Sequence, residues 1–218
     1  MLINFQEIKT GSDFENFAQC FLQHLGYKII RGASVGPDGG VDIICEQYNP
    51  YGQYGYRWLV SCKHLKRNVG QNDDEANINK LYEHKCQGFM FVYSSDVTES
   101  LRQSVEKISQ NANCSHRFFC HREIENIVIA SPKLYPLMNQ FFPLSHDLII
   151  GKIGTNPTCC DLRGLSAQDA IYAIYVRDTQ TQKITVKVYG NCCADDYCEH
   201  LYRNKIEYGI YTLKEQEW

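Results

Sequence analysis

Two stretches carry residues that could do chemistry. Gly36-Pro37-Asp38-Gly39-Gly40-Val41-Asp42-Ile43-Ile44 is followed, one turn later, by Val60-Ser61-Cys62-Lys63-His64. The first places Asp42 at the head of an apolar strand, and the second places Lys63 near the end of the next. Adjacent strands bring two such side chains to one spot. An acid and a lysine there suit metal-assisted hydrolysis of a phosphodiester. The acid holds a divalent cation, and the lysine steadies or deprotonates the attacking water. Hard oxygen donors suit Mg²⁺.

Each residue also has a plainer reading. An isolated aspartate at a loop end more commonly caps backbone amides; the paired glycines and the following Lys63 favour the metal role for Asp42. Asp38 offers a further carboxylate, although Pro-Asp-Gly-Gly reads first as a turn. Lys63 sits in an otherwise apolar strand, where a lysine is costly to bury unless paired, or else snorkels to the sheet edge. Alternation along Trp58 to Lys63 puts Ser61 on the face that carries Lys63. In the opening helix, Ser12-Asp13-Phe14-Glu15 fits a capping box with Glu15 at its third helical position.

The elements that must position these residues follow from periodicity. Ser12 to Leu25 is an amphipathic helix, with Phe14, Phe17, Ala18, Phe21, Leu22 and Leu25 at helical spacing, Ser12 as its cap and Gly26 as its stop. Tyr27 to Ile30 reads as a short strand and Gly32 to Gly40 as a loop. Val41 to Tyr48 and Arg57 to Lys63 read as a hairpin across Asn49-Pro50-Tyr51-Gly52. Asn72 to Cys86 reads as a helix, Phe89 to Tyr93 as a buried strand, and Asp96 as the cap of a helix through Leu101, Val105 and Ile108. A strand at Phe118 to Cys120, a helix from Arg122 to Ala130 ended by Pro132, and a turn or two from Leu134 to Phe142 complete the first part. This order predicts an α/β fold with a mixed central sheet covered by helices on both faces.

After about His146 the character changes. Ile171 to Val176 and Ile184 to Tyr189 flank a turn at Asp178 to Gln182, and Tyr208 to Leu213 reads as a third strand. The expected organisation is a first domain over residues 1–146 and a small β-rich unit over 147–218.

Composition narrows the class. The chain has 218 residues and a net charge of −3, so it is not a strongly basic nucleic-acid binder. Local sign still matters: Arg57, Lys63, His64, Lys66 and Arg67 form a basic run around the proposed site. The N-terminal residues do not resemble a signal peptide, and no apolar run approaches the ~20 residues of a membrane span. The expectation is a soluble, cytoplasmic protein, with its 11 cysteines read as reduced thiols.

Four features in register resemble the Mrr-type restriction endonucleases of the PD-(D/E)XK nuclease superfamily. They are the Phe14-Glu15 pair ahead of Leu25-Gly26-Tyr27, the Gly36 to Asp42 stretch, Val60 to His64, and Gly88-Phe89-Met90-Phe91-Val92 with Ser94-Ser95 after it. The resemblance covers roughly Phe14 to Ala130. It implies a restriction-endonuclease-like core and a Mg²⁺-dependent DNA endonuclease acting on double-stranded DNA, with Mn²⁺ as a substitute and a homo-oligomeric assembly. It implies Asp42 and the helix-borne Glu15 as metal or water-positioning ligands, with Lys63 as the catalytic lysine. Ser61 departs from the pattern, since the family usually carries Gln or Glu two residues before the lysine. The Cys62 carbonyl and Glu15 are the groups that could offset that loss. The helix around Arg122-Glu123-Ile124-Glu125, followed by Phe141-Phe142-Pro143, looks similar to the junction between Mrr-like effectors and the signalling NTPase of antiviral STAND proteins. That likeness implies the effector piece of a larger defence assembly; a self-contained restriction-type protein is the alternative.

Two other classes stay open. Ser61 is compatible with a catalytically silent nucleic-acid-binding module, against which Asp42 and Lys63 stand intact. The Cys114, His116, Cys120 and His121 group, and the group of Cys159, Cys160, Cys192, Cys193, Cys198 and His200, invite a zinc or redox role. Neither has a paired Cys-x-x-Cys framework.

Overall fold

A computed structural model describes residues 2–32, 41–48, 55–149, 171–177 and 184–214. The expected loop over residues 33–40 with Asp38, the turns at 49–52 and 178–182, and Cys159 and Cys160 lie outside the described residues, as does the side chain of Cys192. The chain divides into two compact units, Phe5–Glu125 and a second made of Met1–Asn4 with Asn126–Trp218.

The first unit begins with α1 (Gly11–His24). Its Phe14, Phe17, Ala18, Phe21 and Leu22 are all buried, each large side chain contributing about 1.5–3 kcal/mol relative to exposure. Thr10, not Ser12, is the cap: its hydroxyl oxygen accepts from the Asp13 amide at 3.1 Å, and the hydroxyl donates to the Asp13 carboxylate at 2.6 Å. The helix therefore starts two residues earlier than a Ser12 cap would allow, and Glu15 becomes its fifth residue, outside capping range. Gly26 stops it with φ +89°, a conformation that favours glycine.

Five strands follow: β1 (Tyr27–Arg31), β2 (Ile43–Gln47), β3 (Tyr56–Lys63), β4 (Gly88–Tyr93) and β5 (Ser115–Phe119), in the spatial order β1-β2-β3-β4-β5. The pairs β1–β2 and β2–β3 are antiparallel, while β3–β4 and β4–β5 are parallel. The sheet is mixed, and the antiparallel half is the hairpin that carries Asp42 and Lys63. One face buries Ile44, Leu59, Phe89, Phe91 and Tyr93 beneath Leu81 of α2 (Ile78–Glu83) and Leu101 and Val105 of α3 (Glu99–Ala112). On the other side α1 packs along β3, with Phe21 edge-on to Phe119 of β5 at 5.5 Å. Helices thus cover both faces of an α/β sheet. The cap of α3 is Thr98, whose hydroxyl accepts from the Leu101 amide; Asp96 instead turns its carboxylate to the Val97 amide.

The largest departure from the sequence reading lies between β3 and β4. A helix from Asn72 to Cys86 shrinks to α2, because the stretch before it is tied into a turn. The amides of Asp73 and Asp74 donate to the Gly70 carbonyl, and the Gly70 amide donates to the Asp73 carboxylate. Arg67 grips the same carboxylate with two bonds of 2.7 Å. Asn77 then caps α2 by accepting from the Asn79 and Lys80 amides.

In the second unit, α5 (Tyr135–Phe141) and α6 (Pro143–Ile149) follow α4 (His121–Ala130). A three-stranded antiparallel sheet of order β7-β6-β8 joins β6 (Ile171–Arg177), β7 (Ile184–Gly190) and β8 (Tyr208–Lys214). Between the last two lies α7 (Asn191–Arg203), a helix that the cysteine-rich sequence does not announce. It packs Ala194 and Leu201, with Cys193 and Cys198, against Ile174 and Tyr189. Among the described residues no helix is long and apolar enough to cross a membrane.

Candidate active site

Asp42 immediately precedes β2. Its amide donates to the Val60 carbonyl at 3.3 Å, which continues the hairpin ladder by one residue. Its Oδ2 accepts from the Cys62 amide at 2.6 Å. So the carboxylate does hold a backbone amide, that of Cys62 across the hairpin. Among the described residues no hydrogen bond reaches Oδ1. Burial pushes this carboxyl above the usual aspartate range; the Cys62 amide and the Lys63 charge act the other way, Asp74 raises it further, and Lys80 lowers it. Four side chains therefore share one electrostatic neighbourhood: Asp42, Lys63, Asp74 and Lys80.

The register explains how Lys63 arrives there. In the parallel pair, Leu59, Ser61 and Lys63 lie beside Phe89, Phe91 and Tyr93. Leu59, Phe89, Phe91 and Tyr93 all belong to one core face, so alternation puts Ser61 and Lys63 on that face too. Lys63 is half-buried; its carbonyl accepts from the Ser94 amide at 3.1 Å, while its side chain makes no hydrogen bond or ion pair among the described residues. Cys62 points the opposite way, toward α1. Burial drives its thiol well up, with Asp42, Glu15 and Asp74 adding to the effect. Glu15, half-buried on α1, thus bears on Cys62, whereas the carboxylate that bears on Asp42 is Asp74.

His64 is not part of a basic surface. Its Nε2 meets the Ile8 carbonyl at 3.0 Å, and its ring stacks on Phe14 at 5.3 Å, fastening the end of β3 to the start of α1. Arg57 lies at the other end of β3, roughly 20 Å away at ~3.3 Å per residue, and pairs with Glu46 at 3.3 Å. Arg67 is occupied by Asp73. Of the expected basic run, Lys63, His64 and Lys66 lack an ion-pair partner among the described residues, and His64 is engaged instead by the Ile8 carbonyl and the Phe14 ring.

Sequence reasoning missed Asp74, Tyr93 and Lys80. The Tyr93 hydroxyl donates to Asp74 Oδ2 at 2.8 Å, and the Glu75 amide donates to Oδ1 at 2.9 Å. Burial, then the Asp74 charge, pushes the Tyr93 phenol far above its usual range, so it stays a donor. Asp74, Glu75, Asn77 and Lys80 line one cavity with Leu59, Val60 and Ser61. A helical reading of residues 72–86 hid this, since it sends Asp74 to a solvated first turn. The only hint was the Asp73-Asp74-Glu75 run close after Lys63.

The donor set fits a divalent cation of the Mg²⁺ type. Such an ion keeps several waters and needs only one or two carboxylates. Among the described residues no bond reaches one oxygen of Asp42, and Asp74 accepts two bonds out of the roughly four a carboxylate can take. Among the described residues no three His, Cys, Asp or Glu side chains converge on one point. The cysteines whose side chains are described are free thiols.

Fold and site together define a restriction-endonuclease-like domain, with an acid and a lysine on neighbouring strands of a mixed, helix-covered sheet. Residues 7–113 match the family described as Restriction endonuclease, Mrr_cat, and this part of the chain belongs to the Mrr-type restriction endonucleases. The chain therefore carries a nuclease domain of the restriction endonuclease family, a kind of nuclease that generally uses divalent metal ions. No curated protein and no solved structure matches it.

Proposed function

We propose that this protein is a metal-dependent endonuclease that hydrolyses phosphodiester bonds in double-stranded DNA. The observation that carries the reading is the meeting of Asp42 and Lys63 on one sheet face, with Asp42 anchored by the Cys62 amide and the Lys63 side chain without a hydrogen-bond or ion-pair partner among the described residues. Mg²⁺ bound at Asp42 would polarise the scissile phosphate and lower the pKa of a water beside it. Lys63 holds the nonbridging phosphate oxygens and balances the charge that builds on them as the P–O bond breaks. Glu15 and the Cys62 carbonyl complete the proposed ligand and water-positioning set.

Supercoiled plasmid incubated with the full chain and Mg²⁺ should be nicked or linearised, and excess EDTA should stop it. Cleavage at full rate in EDTA would sink the reading. A second reading, a silent DNA-binding module, is favoured by Ser61 alone; it predicts gel retardation of duplex DNA with no cutting in either Mg²⁺ or Mn²⁺.

The domain over 1–146 is proposed to carry the activity, and the β-rich unit over 147–218 to act as an accessory or linker. The likeness around Arg122–Glu125 and Phe141–Pro143 supports a role as an oligomerising defence effector coupled to a signalling NTPase. A purified chain that stays monomeric and cuts at its full rate would argue against that coupling.

A further inference from the structure

We propose that Asp74 is the second metal-binding carboxylate of this site, delivered by the loop after β3 to stand in for the long oxygen-bearing side chain that Ser61 is not. The inference rests on the reading of Asp42 and Lys63 as a metal-dependent nuclease centre.

Three placements converge on it. Ser61 and Asp74 line the same cavity, so a carboxylate at either position opens onto the same volume. Tyr93 pairs with Lys63 in the sheet and donates to Asp74 Oδ2 at 2.8 Å, which sets Asp74 over the strand ends beside the lysine. Asp42 lies one step past the Ile43–Val60 pair of the hairpin, which puts it opposite Ser61 and on the same sheet face.

The loop is built to hold this acid in place. Arg67, Asp73 and Gly70 lock the turn one residue before it. Backbone bonds from Val69 to Asp96 and from Thr98 to Val69, at 2.8 and 2.9 Å, staple the loop to the start of α3. The Tyr93 and Glu75 donors then fix the carboxylate without saturating it, and each oxygen keeps a lone pair for an ion or its water. A ligand held by such outer partners is oriented before the ion arrives. Ser61 fits the same picture: a Glu or Gln there would compete with Asp74 for the cavity, so the short side chain is the complement of the loop acid.

Mn²⁺ titration of the full-length chain without DNA, with free ion read by electron paramagnetic resonance, tests this apart from cleavage. Five proteins are compared: wild type, Asp42→Ala, Asp74→Asn, Asp74→Glu and the double variant Ser61→Glu/Asp74→Asn. Thermal unfolding of each in EDTA shows whether its fold is kept.

Asp74→Asn keeps an oxygen for Tyr93 and removes the charge, so Mn²⁺ affinity should fall at least about tenfold with the melting temperature little changed. Asp74→Glu should lose less. Ser61→Glu in the Asp74→Asn background should restore most of the affinity, which a merely structural role for Asp74 cannot produce. If Asp42→Ala loses the ion while Asp74→Asn binds like wild type, Asp74 only holds Tyr93 and this inference falls with the nuclease reading intact. A folded double variant as weak as Asp74→Asn also overturns it. A wild-type chain that binds no Mn²⁺ overturns the metal reading and this inference together.

Discussion

The two walls of the site are held by different physics. Ser61 and Lys63 ride on β3 and Asp42 leads into β2, where ladder hydrogen bonds and strand alternation set each position. Asp74 and Lys80 come from a loop and a short helix, where side chains do that work: Arg67 on Asp73, Asn77 on α2, Tyr93 on Asp74. A strand wall resists any single substitution because its backbone bonds are shared among many residues. A loop wall can be released by one. The proposed site therefore combines a rigid half, to which the proposed function assigns the chemistry, with a half whose precision hangs on a few polar ties.

The sharpest way to break the strand wall is Lys63→Ala. Removing one group that stabilises developing charge typically reduces rate by about 10²–10³, and the fold should persist, since the Lys63 side chain makes no hydrogen bond or ion pair among the described residues and its backbone bond to Ser94 is kept. Lys63→Arg should not restore activity if the lysine must exchange a proton, because a guanidinium cannot give one up near neutral pH. Plasmid cleavage decides both; a Lys63→Ala protein that cuts like wild type places the chemistry elsewhere.

Breaking the loop wall should do less. Asp73→Ala frees Arg67 and the Gly70 amide and lets Asp74 drift, and a misplaced group of this kind typically slows the reaction by about 10²-fold at most. The pH dependence separates the walls further. Arg67, followed by the Gly70 amide, holds the Asp73 carboxyl down to about 2. A depressed pKa means a tie present above the unfolded value of ~3.9 and lost only as pH falls through the folded one. Asp42 is shifted upward in the metal-free protein, so at limiting metal it takes up a proton in place of the ion at a pH where the loop is still tied. Activity should accordingly fall on acidification before the loop lets go, and Asp73→Asn should leave the midpoint of that acid limb where it was. A midpoint that follows Asp73 would mean that the loop sets the acid limit.

Glu15 lies outside both walls, and two variants resolve its part. Thr10→Ala removes the true cap of α1 and should lower stability by about 1 kcal/mol with activity nearly kept. Glu15→Gln should leave the melting temperature alone and reduce cleavage. The reverse pattern in paired melts and cleavage assays would make Glu15 structural.

The smallest effect, and one of opposite sign, belongs to Asp42 itself. Its carboxyl is raised mainly by burial, so ionising it opposes folding: the metal-free protein should lose stability as pH rises from the unfolded value of ~3.9 through the raised one. Asp42→Asn keeps an oxygen for the Cys62 amide and removes the charge. The metal-free variant should melt slightly higher at neutral pH while cutting nothing. A lower melting temperature would show that the carboxylate is a net structural asset.

Much of this protein was legible from local pattern. Apolar spacing marked α1 with its buried Phe14, Phe17 and Phe21, and period-two alternation marked the hairpin and put Ser61 with Lys63. The glycines before Asp42 and the Val60 to His64 stretch pointed to the family. What local pattern could not carry was whatever depends on partners distant in sequence. Thr10 outcompeted Ser12 as a cap through its exchange with Asp13. Arg57 was spent on Glu46, and His64 was drawn inward to Ile8 and Phe14.

Above all, the Arg67–Asp73 grip unwound the front of a plausible helix and presented Asp74 to Tyr93. Helical spacing and strand alternation are properties of neighbouring residues, so the sequence by itself determined most elements of the first unit and the strand-borne half of the proposed site, though not the bounds of α2 or the presence of α7. The loop-borne half rests on bonds that exist only once β3, β4 and the segment between them have come together, and only the tertiary structure decided it.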